Sequence, residues 1–220
     1  MSTFLCEILE KNCALCYYIR IKVIWGAVMK TAIAKKGAYG EKYPLGDSQN
    51  GGETQRKSCF SLAYTDTTLR IKIECEVGDK LHCPYNGYNE PVWNGDVAEV
   101  FLMPYDDEHW YFEFNLAPNL SCFYARIYNS DGYTGYNRMI VDAGIDAHSK
   151  ILNRKWTAEM EIPFETMLNK EDLGKFKTLP WRFNVFHIDH ELQEHASYSP
   201  TKTKNPNFHV TSAFAKLIFE

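Results

Sequence analysis

The sequence predicts an all-β protein, an antiparallel, jelly-roll-like β-sandwich with one short helix. Apolar and polar residues alternate in many short segments, which is the pattern of strands with one buried face. Pairs such as Asn-Gly, Gly-Gly and Asp-Gly separate these segments and are typical of turns. Aromatic residues, which favour strands, make up 15% of the 220 residues. Many short strands with a single helix are typical of a sandwich.

The strand pattern is clearest in residues 68–77, where leucine, isoleucine, cysteine and valine alternate with charged side chains. This alternation predicts a half-buried antiparallel strand. Residues 109–116 and 155–162 alternate in the same way. Further strands are predicted near 16–25, 58–64, 97–103, 121–128, 180–188 and 213–219.

One short helix is predicted over residues 164–174, after Pro163 and ending at Gly174. Residues 36–57 and 197–212 are interpreted as long loops. No internal repeat or linker divides the chain, so residues 1–220 are expected to form a single domain, with residues 1–15 as a candidate N-terminal extension.

Charge and hydropathy exclude two classes of function. The chain has 24 basic and 28 acidic residues, a net charge of −4, and no basic block, so nucleic-acid binding is not expected. No run of about 18 apolar residues exists, so no membrane span is expected. Glu7, Glu10 and Lys11 interrupt the only stretch that could form a signal peptide, which favours the cytoplasm by default.

The seven cysteines are scattered and odd in number. Cys13 and Cys16 form a lone C-x-x-C, which lacks the second pair that a zinc site requires. The thiols are therefore interpreted as reduced and partly buried. The stretch 187–195 is rich in His, Asp and Glu, but no helix pattern supports a metal motif there, and a solvated loop is the favoured interpretation over a weak metal site.

Glu99 is the one charged residue in the segment 97–103, whose two faces are otherwise apolar. An unpaired buried carboxylate is costly, so Glu99 is expected to be buried and hydrogen-bonded, near the loop that carries Trp93. One interpretation is a structural acid paired with an arginine or with backbone N–H groups. The other is an acid that binds a ligand.

Trp93 precedes this strand in an Asn-Gly turn, and it too has two interpretations. It is either a lid over the edge of the sandwich or a stacking platform for a sugar ring. Asp96 and Glu99 fit poorly as a glycosidase pair, because positions i and i+3 of a strand face opposite sides. No nucleophile or phosphate-loop motif occurs, so no catalytic activity is expected.

Residues 93–102, WNGDVAEVFL, resemble the W-x-x-D-x-x-E-[VI]-F-[LI] run of family 9 carbohydrate-binding modules, which belong to a wider DOMON-like group of β-sandwiches. Five further segments resemble family motifs in the same order. These are TLRIKI at 68–73, YFEFN at 111–115, WTAEMEIP at 156–163, WRFNV at 181–185 and the closing segment 208–217. The resemblance covers about residues 16–220.

The resemblance implies a binding module in which two aromatic side chains clamp a sugar ring. Trp93 corresponds to the first aromatic and Phe208 to the second, and Glu99 corresponds to the acid that binds sugar hydroxyls. Some sugar-binding members carry arginine where this chain has Glu113. The family is often extracytoplasmic. The candidate carbohydrate-binding residues are Trp93, Asp96, Glu99, Asn115, Arg126, Asn205, Phe208 and His209.

Two alternatives stay open beside the binding of a mono- or oligosaccharide. Some DOMON-like domains hold haem through methionine and a second axial ligand, and Met103, Met139 and Met160 are candidates together with the 187–195 loop. The other alternative is a structural or interaction relative that has lost its ligand. No cofactor is expected, although a bound calcium ion is left open.

Overall fold

The computed structural model describes residues 29–133, 135–142 and 144–220. The strand predicted near 16–25 and the Cys13–Cys16 pair lie outside these ranges. The fourteen strands of the described chain are β1 (Thr31–Lys36), β2 (Tyr43–Pro44), β3 (Gly46–Asp47), β4 (Ser58–Tyr64), β5 (Thr68–Glu76), β6 (Val97–Met103), β7 (Trp110–Leu116), β8 (Cys122–Asn129), β9 (Tyr136–Ile140), β10 (Asp146–Leu152), β11 (Lys155–Pro163), β12 (Arg182–Asp189), β13 (Glu194–Ser197) and β14 (Ala215–Phe219).

The main strands follow the order β10-β11-β5-β4-β1-β14-β12-β6-β7-β8-β9. Strand β1 is the joint of this order: Thr31–Ala34 pairs with β14, and then Lys35 and Lys36 pair with β4. We call the part from β1 through β14 to β9 the front sheet and the part from β1 through β4 to β10 the back sheet. Both pairings of β1 are parallel, whereas the other pairings between these strands are antiparallel.

The two sheets pack face to face as a sandwich, which confirms the predicted fold class. Phe60 of β4 meets Phe183 of β12 edge-on, with ring centroids 5.8 Å apart, although the two strands are not neighbours in a sheet. Alternate residues of β5 and β11 supply the back half of this core, as their sequence pattern predicted. Trp156 and Trp181 are its largest fully buried side chains, and the indole N–H of Trp156 donates to Ser149 Oγ at 2.9 Å.

A second apolar cluster covers the outer face of the front sheet. All seven residues of β6 are buried, as predicted, because this strand has the back sheet on one side and this second cluster on the other. We call residues 198–214, which connect β13 to β14, the closing loop. Its Phe208 and Phe214 pack over Phe101, Tyr111 and Phe186 of the front sheet. Arg182 holds that loop in place, since its guanidinium donates to the carbonyl oxygens of Thr211, Ser212 and Phe214.

The predicted helix is present as two short 3-10 helices, Phe164–Thr166 and Lys170–Thr178. The predicted loop 36–57 contains the two-residue strands β2 and β3, which pair with β4 and β13. Strands β1, β9, β10 and β13 were not predicted.

Among the described residues, no helix has both the length and the apolar character needed to cross a membrane. Cys59, Cys75, Cys83 and Cys122 carry free thiols, and Cys75 is fully buried.

We expect Trp156→Ala to lower the free energy of unfolding by about 3–5 kcal/mol, because it empties a fully buried position in the core between the sheets. The matched control is Leu152→Ala on the neighbouring strand β10, where the side chain is exposed and the change should stay within about 0.5 kcal/mol. Urea denaturation measures both. A loss of less than about 1 kcal/mol for Trp156→Ala would show that this residue is not central to the core.

Candidate functional site

A depression of about 260 Å³ opens on the outer face of the front sheet, beside the closing loop. Strands β6, β7, β9 and β12 form its floor, while β13, the turn before β6 and the closing loop form its rim. Four of the predicted residues line it: Trp93, Glu99, Phe208 and His209. The other lining residues are Glu113, Tyr136, Arg138, Ile188, His195, Pro206 and Asn207.

Glu99 lies at the floor of this depression and is only 2% exposed. Its Oε1 atom is buried and has no hydrogen-bond partner among the described residues. The prediction that Glu99 is buried is therefore confirmed. The prediction that its carboxyl is hydrogen-bonded is wrong for the Oε1 atom. The structural interpretation, an acid paired with arginine or backbone N–H groups, does not account for Oε1.

Glu113 is a second buried carboxyl, on the neighbouring strand β7 and on the same face of the sheet. Its Oε1 accepts a hydrogen bond from Asn115 Nδ2 at 2.8 Å, and its Oε2 lies 3.6 Å from Arg138 Nε. Burial raises the pKa of both carboxyls above the usual range, and the charge of Glu113 raises the pKa of Glu99 further. Arg138 opposes both shifts.

Arg138 links the acidic floor to the aromatic rim. Its guanidinium carbon lies 4.5 Å from the ring centroid of Trp93 and 4.9 Å from that of Tyr136, both within the range of cation–π interactions. The same side chain reaches Glu113, as described above. Neither Arg138 nor Tyr136 was predicted as a site residue.

Trp93 is half-buried in a single turn of 3-10 helix, Val92–Asn94. Its ring meets Phe123 edge-on, with centroids 5.0 Å apart. The backbone after this turn passes close to the carbonyl oxygen of His82. A Cβ atom at Gly95 would lie 2.3 Å from that oxygen, so this position requires glycine. Part of the indole remains open to the depression.

Phe208 has one ring face against Phe186, with centroids 4.1 Å apart and the rings 10° from parallel. It is 8% exposed, so it offers much less surface to a ligand than Trp93 does. Phe208 thus contributes both to the outer-face cluster and to the wall of the depression.

His209 is a buried neighbour of the site that packs on Tyr136, with ring centroids 3.8 Å apart. Its Nδ1 and the Tyr111 hydroxyl lie 2.6 Å apart, and Asn129 Nδ2 donates to its backbone carbonyl. Burial, with a smaller effect from Arg138, lowers the pKa of His209 to about 3. The imidazole is therefore neutral at physiological pH.

Asp96, another predicted sugar-binding residue, does not line this depression. Its carboxylate accepts the backbone N–H of His82 at 2.5 Å and that of His190 at 2.9 Å. It joins two loops whose histidine rings stack with centroids 3.9 Å apart. The role that fits these contacts is to fix the turn that carries Trp93.

Three other predicted residues also lie off the depression. Arg126 points to the opposite side of β8, where it stacks on Trp110 at 4.2 Å. Asn205 is exposed, and Asn207, two residues on, lines the depression instead. Asn115 is fully buried beside Glu113, so it supports the floor without reaching the opening.

The candidate haem ligands are spread over the molecule. Met160 lies in the core between the sheets, Met103 in the outer-face cluster, and Met139 is exposed. In the 187–195 stretch, Asp189 and Glu191 both form ion pairs with Arg56. Within the described ranges, no group of three or more His, Cys, Asp or Glu side chains is arranged to hold a metal ion.

A larger cleft of about 550 Å³ lies near the outer strands β8 and β10 and is lined by Tyr88, Tyr124, Asp142 and Asp146 with neighbouring apolar residues. It contains none of the predicted residues. Among its described lining residues, none carries a buried polar atom without a partner. The depression at Glu99 is therefore the stronger candidate site.

Comparison with known proteins gives one sequence relative. No family model matches the chain. An Arthroderma benhamiae protein described as "Extracellular protein" is 28% identical over 182 residues, which cover 74% of this chain and 78% of that protein.

Three solved structures have a similar fold. A "putative carbohydrate-binding protein" from Bacteroides uniformis superimposes with a TM-score of 0.70 at 18% identity, covering 87% of this chain and 100% of that one. A family 9 carbohydrate-binding module from Caldicellulosiruptor kristjanssonii gives a TM-score of 0.54 in complex with glucose and with cellotriose, at 14% and 15% identity. These pairs cover 87% of this chain and 96% and 94% of the modules. The predicted family 9-like fold is confirmed.

We expect Glu99→Gln to be more stable than the native protein at pH 7. The native state keeps a proton that the unfolded chain releases near its usual value of 4.5, so stability falls as pH rises from there through the raised pKa. The gain should therefore be present at pH 7 and should shrink as the pH falls toward the usual carboxyl value, where the unfolded chain is protonated as well.

The control for this prediction is Glu74→Gln on the back sheet. A hydrogen bond from Lys42 lowers the pKa of Glu74, so this substitution should lose stability at pH 7 and approach the native protein as the pH falls. Urea denaturation between about pH 4 and pH 8 measures both variants. A Glu99→Gln protein that is less stable than the native one at pH 7 would contradict the assignment of Glu99 as an uncompensated buried acid.

Proposed function

We propose that this protein is a non-catalytic carbohydrate-binding module that holds a sugar ring in the depression above Glu99. The observation that carries this proposal is the Glu99 Oε1 atom, which is buried and unpartnered and belongs to a residue that lines a small depression with an aromatic rim. A sugar presents hydroxyl donors for such an oxygen and C–H faces for aromatic rings. The glucose and cellotriose complexes of the family 9 module support the same ligand class.

In this proposal Trp93 is the main stacking platform and Phe208 the second side of an asymmetric clamp. Trp93 is half-buried, whereas one face of Phe208 is already covered by Phe186. Contact on both sides of a sugar requires the two aromatic rings to stand about 7–8 Å apart, with the sugar between them. The guanidinium of Arg138, which lies over part of Trp93, offers N–H donors to ring or hydroxyl oxygens.

The arrangement of the two buried acids, Glu99 and Glu113, does not suit glycoside hydrolysis. Glycoside hydrolysis requires two carboxyls that flank the scissile bond, one charged and one protonated. Glu99 and Glu113 instead lie on adjacent strands in the floor of the depression, on the same side of any ligand that enters it. Asn115 and Arg138 engage Glu113 from within the protein.

We expect Trp93→Ala to weaken binding of cello-oligosaccharides by about 2 kcal/mol or more, close to 30-fold in Kd, because it removes the larger stacking surface. Isothermal titration calorimetry measures the affinity. Trp110→Ala is the matched control, since Trp110 is also half-buried and also stacked by an arginine, Arg126, but lies outside the depression.

The outcome that supports the proposal is a large loss for Trp93→Ala with no change for Trp110→Ala. Equal losses for the two variants would contradict it. Urea denaturation of both variants separates binding from folding: if Trp93 is a core lid, Trp93→Ala should instead destabilise the fold by about 3–5 kcal/mol.

We also expect the purified protein to be colourless and to leave aryl glycosides intact. The physical reason is that neither a flanking acid pair nor a gathered set of haem ligands occurs in the described part of the chain. Visible absorption and release of the aryl chromophore measure the two properties. Turnover that is lost in Glu99→Gln would show that the module is an enzyme.

A further inference from the structure

The floor of the depression has an excess of hydrogen-bond acceptors. Glu99 Oε1 and Asn115 Oδ1 are buried there without a hydrogen-bond donor among the described residues, and Glu113 Oε2 has only the long contact of 3.6 Å with Arg138 Nε. A buried acceptor without a donor costs free energy, so a ligand that supplies donors at this point recovers it. Glu99 and Glu113 both line the depression, and Asn115 and Arg138 already engage Glu113.

Among the described residues that line the depression, Arg138 is the one permanent positive charge, and the two buried acids share it. Arg138 on β9 lies beside Glu113 and over Trp93 and Tyr136. The remaining titratable groups that line the depression are His195 on β13 and His209 in the closing loop, and burial lowers the pKa of both. With Arg138 matched to Glu113, one acid is left without a counter-charge.

We propose that the sugar recognised in the depression carries a free amino group, which docks as an ammonium on Glu99. This inference rests on the proposed function and specifies its ligand class. An ammonium brings one positive charge and three N–H donors, which suits one unpaired acid among several unpartnered acceptors. The indole of Trp93 at the rim adds cation–π attraction.

A hydroxyl group would satisfy Glu99 less completely than an ammonium. It can donate one hydrogen bond, but it leaves the charge uncompensated, so the carboxyl keeps its proton. The ammonium instead favours the carboxylate. Binding then converts Glu99–COOH and R–NH₃⁺ into the ion pair and releases one proton to the solvent, which balances both charge and atoms. An N-acetylated sugar has a neutral amide in the same place and cannot make this exchange.

Isothermal titration calorimetry of three disaccharides at about pH 6 tests the proposal: β-1,4-linked glucosamine, its N-acetylated form and cellobiose. We expect the glucosamine disaccharide to bind at least about tenfold more tightly than cellobiose, because a hydrogen bond between charged groups is stronger than a neutral one. Its heat of binding should change between buffers of different ionisation enthalpy, which reports the released proton, whereas the heat for cellobiose should not.

Glu99→Gln should remove both the tenfold preference for the amine over cellobiose and the buffer dependence, and Glu74→Gln should leave the preference and the buffer dependence unchanged. If cellobiose binds as well as the amine, or if no proton is released, the inference fails and the proposed function stands. If none of the three sugars binds the native protein, the proposed function fails as well. The buffer test uses the native protein, so it does not depend on the folding of a variant.

Discussion

Strand β6 runs between two apolar layers, and one carboxyl, that of Glu99, is buried in it. Removing an acid from water costs free energy unless a charge or a donor compensates it, and no donor in the described chain reaches Glu99 Oε1. The back sheet covers one face of β6, and the closing loop, held by Arg182, covers much of the other. The depression is the gap that this cover leaves above the acid.

The groups around that gap depend on one another. Asn115 and Arg138 engage Glu113, and Arg138 also packs on Trp93 and Tyr136. Tyr136 in turn packs on His209, whose imidazole meets the Tyr111 hydroxyl. Charge, aromatic stacking and loop position therefore form one network, and a change at Arg138 is expected to disturb the acid and the stacking platform together.

Much of the sandwich could be predicted because its core strands carry strict alternation, as β5 and β11 do, or an apolar run, as β6 does. Strand β1 was not predicted, since it is short and its parallel pairing depends on partners 28 or more positions away in the sequence. Strand β9 was not predicted either, because it is an exposed edge strand with no alternation to recognise.

The same difference, between a pattern visible in the sequence and a contact made only by folding, explains which site residues could be predicted. Trp93, Glu99 and Phe208 could be predicted from a motif and from a charge in an apolar strand. Arg138 and Tyr136 could not, because they lie on the unpredicted strand β9 and face the depression only through its pairing with β8. Asp96 and Asn115 were assigned to the ligand because the motif contains them, yet their hydrogen bonds are made within the protein. Sequence spacing does not reveal whether a polar side chain forms its hydrogen bonds with a ligand or within the protein.

The most direct measurement is a crystal structure of the protein with the glucosamine disaccharide. The account predicts a sugar ring packed on Trp93 in the depression, with a nitrogen or oxygen of the sugar within about 3.2 Å of Glu99 Oε1. A sugar bound elsewhere, for example in the cleft lined by Tyr88 and Tyr124, with Glu99 Oε1 still unpartnered, would contradict it.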